Sequence, residues 1–300
     1  MSAKKSWVLL ILLSCIWGSS FILMKKGMFA ENGETIFSAN QLGALRMLIA
    51  SLIMLPLGIT RLKLIKKKHV FALLIVGFCG NIFPAFLFPY AETEVSSGFA
   101  GMLNSFTPIF TLIICFSIFK TKVTKRQIIG LIIGSIGAIT LSLSGNQGNE
   151  NYSLIHISAI IIATFFYALN LSYIKFRLND LNPIDIAALG FIFVFPFALG
   201  ASIYFKTDKT ILTNDYATQG LIYISILAVI GTSLALIIFN KIISLTSPLF
   251  ASSVTYFIPI VAMIIGIVFN EKIEAIQILA MFVILAGVFI INRKKNQNDY

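Results

Sequence analysis

Long apolar runs dominate the chain, separated by short polar and basic breaks. Runs extend over approximately Trp7–Met28, Phe37–Ile59, Val70–Ala91, Ser96–Phe119 and Gln127–Ser144. A second set covers Leu154–Ile174, Pro183–Phe205, Thr218–Asn240, Pro248–Phe269 and Ile276–Asn292. A helix needs about 20 mostly apolar residues to cross about 30 Å of hydrocarbon, so each run is a candidate transmembrane helix. The runs are continuously apolar rather than alternating, which excludes a membrane β-barrel. The pattern predicts an all-α polytopic membrane protein of ten transmembrane helices. Lys4 and Lys5 before the first run resemble a signal peptide, and Leu12-Leu13-Ser14-Cys15 a lipoprotein cleavage box. The run continues past Cys15 to Met28, too long for a signal core, so it reads as an uncleaved first span.

Composition sharpens this picture. Only 12% of the 300 residues are charged against 58% hydrophobic, and mean hydropathy is +0.92. That supply of charge is about half the usual share and cannot cover a water-facing surface, which excludes a soluble domain, a disordered chain and a nucleic-acid binder. Cys15, Cys79 and Cys115 share no spacing, and free buried thiols are expected. The net charge of +11 becomes informative once sorted by loop. With the N-terminus inside, 17 of the 23 basic residues fall on one face and five on the other, leaving Arg46 within a span. Lys and Arg accumulate on the cytoplasmic side, so both termini are expected there.

The two halves repeat. Trp17-Gly18-Ser19-Ser20-Phe21-Ile22-Leu23-Met24-Lys25 precedes Tyr167-Ala168-Leu169-Asn170-Leu171-Ser172-Tyr173-Ile174-Lys175 by 150 positions. Phe106-Thr107-Pro108-Ile109-Phe110 precedes Phe257-Ile258-Pro259-Ile260-Val261 by 151, and Gly130 and Gly137 match Ala280 and Gly287. Five spans per half is odd, so the second half would enter from the opposite side. Loop charge follows: the loop after span four is +4 and its match after span nine is −1, while the loop after span two is +5 and its match after span seven is 0. An inverted-topology repeat is a transporter architecture, in which rocking one half against the other exposes a midplane cavity to alternate sides.

With these residues in view, the chain resembles the EamA-type carriers of the drug/metabolite transporter superfamily. The likeness spans two copies, about 6–144 and 154–292. It rests on Trp17-Gly18-Ser19-Ser20-Phe21 with Lys25, on Arg46, on Leu103-Asn104-Ser105-Phe106-Thr107-Pro108 and on the Gly130, Gly134 and Gly137 spacing. Pro259 and Asn270-Glu271-Lys272 add to it in the second copy; Phe119-Lys120 departs from the family's Gly-Glu turn in the first. The resemblance implies a secondary carrier of small metabolites, often an exporter, in the bacterial inner (plasma) membrane.

Ionisable groups within a span are the first functional candidates. Arg46 is one, as an anchor for a substrate carboxylate or phosphate or as a structural tie to helix-end carbonyls or to Glu92. Lys25, one turn from a span end, can snorkel to solvent. Asn182-Pro183-Ile184-Asp185 has the pattern of a helix N-terminus, so capping is expected of Asp185. No Asp or Glu is expected at mid-membrane, which leaves a carboxylate proton relay without a candidate. The expected substrate-binding set is therefore Trp17, Ser20, Arg46, Asn81, Tyr90, Asn104, Tyr167, Asn170 and Tyr256. Buried Asn must find a partner or face a cavity, and Trp and Tyr offer an apolar face with one polar tip. Tyr90, near a span end, also fits an interfacial aromatic belt. The 27 Phe are expected to face lipid or pack, Pro108 and Pro259 to kink spans four and nine, and Gly130 with Gly134 to pack helices.

No helical His-Glu-x-x-His, Gly-x-Ser-x-Gly or paired carboxylates point to an enzyme, and no phosphate-binding Gly-rich loop points to an ATP-driven pump. No cofactor and no metal is expected. The expected partners are a small-molecule substrate and the lipid bilayer, with no nucleic acid; a homodimer is compatible with such a chain. A flippase for a lipid-linked metabolite is the alternative function.

Overall fold

The computed structural model describes residues 3–95, 97–144, 153–268 and 275–292. It is built from helices. The first half holds α1 (Ala3–Met28), α2 (Ala39–Arg61), α3 (Lys67–Gly77), α4 (Phe83–Glu92), α5 (Ser97–Asn104), α6 (Thr107–Ser117) and α7 (Lys125–Ser144). The second half holds α8 (Leu154–Arg177), α9 (Pro183–Tyr204), α10 (Thr207–Thr213), α11 (Ala217–Ala228), α12 (Ala235–Leu245), α13 (Pro248–Ser252), α14 (Val254–Val268) and α15 (Ala275–Asn292). Among the described residues, six helical stretches are long and apolar enough to cross a membrane, and shorter apolar helices accompany them. The short helix α10 was not expected from the apolar pattern.

Local sequence explains the boundaries. Ser38 caps α2 reciprocally: its hydroxyl accepts from Gln41 N–H while Gln41 Oε1 accepts from Ser38 N–H, pairing two donors that no helical carbonyl reaches. Pro183 opens α9, where its missing N–H costs nothing. Asn182 closes no cap through its own side chain. Asp185 lies in the first turn, where the sequence pattern placed it, and also ion-pairs with Arg61 at 3.5 Å, tying α2 to α9. The two prolines expected to kink their helices diverge. The chain breaks at Ser105-Phe106 and Pro108 opens α6 behind the break, whereas Pro259 lies inside α14.

Two spans carry a π-helical turn, Phe78–Ile82 between α3 and α4 and Val229–Leu234 between α11 and α12. They sit 151 positions apart. A π turn widens the helix by one residue and displaces a carbonyl from its usual partner. In each turn one polar side chain reaches back five residues to such a carbonyl: Asn81 Nδ2 donates to Val76 O at 2.8 Å and Thr232 Oγ1 to Leu227 O at 3.1 Å. Asn81 and Thr232 are also 151 apart. The same device is thus built at matching places of both halves.

Packing repeats this correspondence. The most extensive contacts are α7 with α15 and α2 with α9, each a pair of matching helices. First helices are exchanged: α1 packs on α11, α12 and α14, while α8 packs on α3, α4 and α6. Glycines let α7 and α15 approach backbone to backbone. A Cβ on Gly130 would lie 2.7 Å from the Gly287 carbonyl, and one on Gly287 would collide with the Gly134 backbone. Both ends of the bundle are tied across the halves. Where α1 begins, Trp7 meets Phe250 edge-on at 5.4 Å, and Asp180 takes Lys68 at 2.6 Å and His69 at 3.1 Å. At the opposite end Gln41 donates to Phe205 O and Thr210 Oγ1, and Tyr90 stacks on His156 at 4.6 Å. Large apolar side chains such as Phe116, Phe282 and Phe289 point outward, more than half exposed, as a lipid-facing surface requires.

Candidate functional site

A cavity lies at mid-bundle between the halves. It comprises a larger chamber, part of it open, and a smaller adjoining one. Trp17, Arg46 and Tyr167 line both. The walls come in matched pairs 150 or 151 positions apart: Trp17 with Tyr167, Asn81 with Thr232, Phe88 with Phe239, Asn104 with Thr255. The π turns supply one pair of these directly, and the loosened helix at each turn is why polar groups reach the cavity there.

Arg46 is the cation of this cavity and is 8% exposed. Its Nε donates to Thr232 Oγ1 at 2.8 Å and its Nη1 faces Met24 Sδ at 3.9 Å. Thr232 therefore does two things at once. It receives the guanidinium and gives its own hydrogen to the π-turn carbonyl. Tyr167 and Glu92 are the electrostatic neighbours of the guanidinium. No helix-end carbonyl holds it in the described structure, so the carbonyl tie considered from sequence is not what is seen. Trp17 Nε1 donates to Gly231 O at 3.2 Å, bringing α1 onto the second π turn. Asn104 sits at the α5–α6 break, where its Oδ1 accepts from Thr107 Oγ1 at 3.2 Å.

Six of the nine expected residues therefore meet at the cavity: Trp17, Ser20, Arg46, Asn81, Asn104 and Tyr167. The other three are not in its walls. Tyr90 is 39% exposed and stacked on His156 at one end of the bundle. Tyr256 is fully buried against α7, its hydroxyl bonded to Ser135 at 3.0 Å and to Leu131 O at 3.3 Å. Asn170 packs against Gly80, where a Cβ would come within 2.7 Å of its amide, behind rather than in the smaller chamber. Sequence reasoning missed Thr232, which the repeat offset from Asn81 would have found. It also read the Phe as mostly lipid-facing or packing, whereas Phe21, Phe88 and Phe239 form walls of the larger chamber.

One further residue was misplaced. The third span was expected to end at Ala91; Glu92 beyond it closes α4 at 2% exposure, and neither carboxylate oxygen has a hydrogen-bond partner. An acid is therefore buried one turn beyond the Phe88 wall after all. The reason is that α4 extends past Ala91, with Lys25 of α1, Arg46 of α2 and Ser97 of α5 near its last residue. No group of His, Cys, Asp and Glu able to hold a metal was found among the described residues.

Comparison with known proteins fixes the class. The model of the EamA-like transporter family matches residues 5–143 and again 154–293. The chain belongs to the EamA-like transporter family. This transporter is 27% identical to the uncharacterized transporter YetK of Bacillus subtilis, over 98% of this chain and 88% of that one. It is 26% identical to the uncharacterized inner membrane transporter YedA of Escherichia coli K12, over 95% and 90%. A crystal structure aligns over 97% of both chains with a TM-score of 0.70 at 13% identity, a likeness of fold. The protein is a multi-pass membrane transporter and not an enzyme, and a transporter implies a small-molecule substrate. The Asn270-Glu271-Lys272 turn that supported the resemblance lies outside the described residues.

Proposed function

We propose that this transporter exports small amphipathic metabolites, amino acids or compounds of similar size, across the bacterial inner membrane. Ten spans would form two inverted five-helix repeats over 6–144 and 154–292, working by alternating access. The observation that carries this reading is the paired construction of the cavity walls. Groups 150 or 151 positions apart face one space, as expected if a two-fold axis in the membrane plane passed through it. Aromatic walls would take the apolar part of a substrate. Arg46 would take its carboxylate as a two-pronged, charge-assisted donor. Trp17, Ser20, Asn81, Asn104 and Tyr167 complete the proposed substrate set. The basic face, where α1 begins, would lie in the cytoplasm with both termini.

Reconstitution into liposomes loaded with a panel of aromatic and aliphatic amino acids and monocarboxylates tests this. Saturable flux is expected for an amphipathic member. Trp17→Ala and Arg46→Gln should each lower it about tenfold or more, the equivalent of ~1.4 kcal/mol of binding, with folding intact. Absence of flux across the whole panel from well-folded protein overturns the reading.

A further inference from the structure

Glu92 is a buried acid that the cavity walls do not use. It ends α4 with both oxygens unpartnered. The charged groups around it come from two elements: Lys25 from α1 and Arg46 from α2. The Ser97 hydroxyl of α5 lies beside it without closing a hydrogen bond. From α8, Tyr167 faces Arg46, and His156 engages Tyr90 and Glu94 at the same end of the bundle. Arg46 thus stands between two clients. It lines the cavity, and Glu92 is among the charges near enough to act on it.

The repeat isolates this arrangement. Lys175 matches Lys25, and it is held by the carbonyls of Ile243 and Thr246. Ile243 is the position that matches Glu92. The stretch matching Arg46, Pro196-Phe197, is apolar. The second half thus keeps the lysine, on carbonyls, with no acid or arginine at the matching positions. The acid and the arginine are additions in the other half only.

We propose that Glu92 is a proton-binding site linked to the cavity through Arg46. Ionised, its negative charge offsets the guanidinium and lowers the cavity's hold on an anion. Protonated, it carries the hydrogen on Oε and leaves the positive charge of Arg46 to an anionic ligand. An unpaired buried carboxyl is accommodated by such a proton or by a cation. Linkage is reciprocal, so an anion in the cavity favours proton uptake at Glu92 and the two travel as one neutral load. Only this last use in transport rests on the export reading.

The test needs no substrate. Infrared titration of the purified protein, from acid to alkaline pH, follows the carboxylic-acid carbonyl band. A titrating band lost in Glu92→Gln is expected, and it should move toward higher pH in Arg46→Gln, where a repelling positive charge is removed. Glu92→Asp keeps a carboxyl where Glu92→Gln fails to fold; its band should persist with a shifted midpoint. A spectrum unchanged by Glu92→Gln, or a midpoint that Arg46→Gln leaves unmoved, overturns the proposal. A titrating, Arg46-dependent band together with a blank liposome panel would leave this site standing and remove the export reading alone.

Discussion

Thr232 shows how much one side chain can hold. Its hydroxyl accepts from Arg46 and donates to the Leu227 carbonyl, so it positions the cavity's cation and satisfies the π turn together. Thr232→Val keeps the shape and removes both bonds. Leaving a buried donor and acceptor unmade costs about 1–3 kcal/mol, so a lower unfolding temperature in detergent is expected, with weaker transport of the same substrate. Thr232→Ser should restore much of each. Asp180 offers a pH-dependent case outside the spans. Its hydrogen bond to Lys68, helped by His69, holds its carboxyl at about 2. The ordinary value is about 3.9, so the pairing stabilises the fold fully above that value and the contribution is lost as pH falls toward about 2. The gap in unfolding temperature between the native protein and Asp180→Asn should be constant above about pH 5 and close on acidification. The pair is solvent-exposed, so salt should shrink the gap too.

Among elements, α7 and α15 depend most on the absence of side chains. A side chain at Gly287 has the Gly130 carbonyl 2.7 Å away and the Gly134 backbone in its path. Without a hydrophobic drive between helices in lipid, such close packing is a main source of association. Gly287→Leu should therefore separate the two helices, and size-exclusion chromatography in detergent should show loss of the monodisperse peak. The sequence exposed these helices and the small-residue spacing of α7. It did not expose the π turns. Val76–Ile82 reads as an unbroken apolar run apart from Asn81, and one extra residue in a turn leaves no mark on apolar periodicity. Nor did it place the end of α4: Ala91-Glu92 looks like a span meeting a loop until the neighbouring helices close over it.

Across the whole molecule, the exchange of first helices couples the halves. Because α1 packs on α11, α12 and α14, and α8 on α3, α4 and α6, the proposed rocking of one half against the other would slide these helices along the cavity walls. Orientation is testable at this scale. In a variant lacking Cys15, Cys79 and Cys115, a cysteine replacing Lys66 should be labelled only from the cytoplasmic side by a membrane-impermeant thiol reagent. One replacing Asn32, at the opposite end, should be labelled from outside intact cells. The reverse pattern would overturn the orientation drawn from loop charge. These two sites suit the test because both are exposed at helix ends.

What the sequence by itself determined was the class, the apolar helices and the correspondence between halves. These depend on hydropathy and on offsets along one dimension, both of which are written in the order of residues. It also singled out Arg46, because an arginine in lipid is conspicuous wherever its helix packs. Tertiary structure alone decided which polar groups share a space. Tyr256 and Asn170 looked as suitable as Tyr167, but helix rotation turns the first onto Gly134 and the second onto Gly80. Burial of Glu92 was decided the same way, by what α1 and α2, distant in the chain, and the adjoining α5 bring beside it. A side chain's facing and a carboxylate's solvation are properties of what packs around them, and no run of neighbours in sequence specifies that.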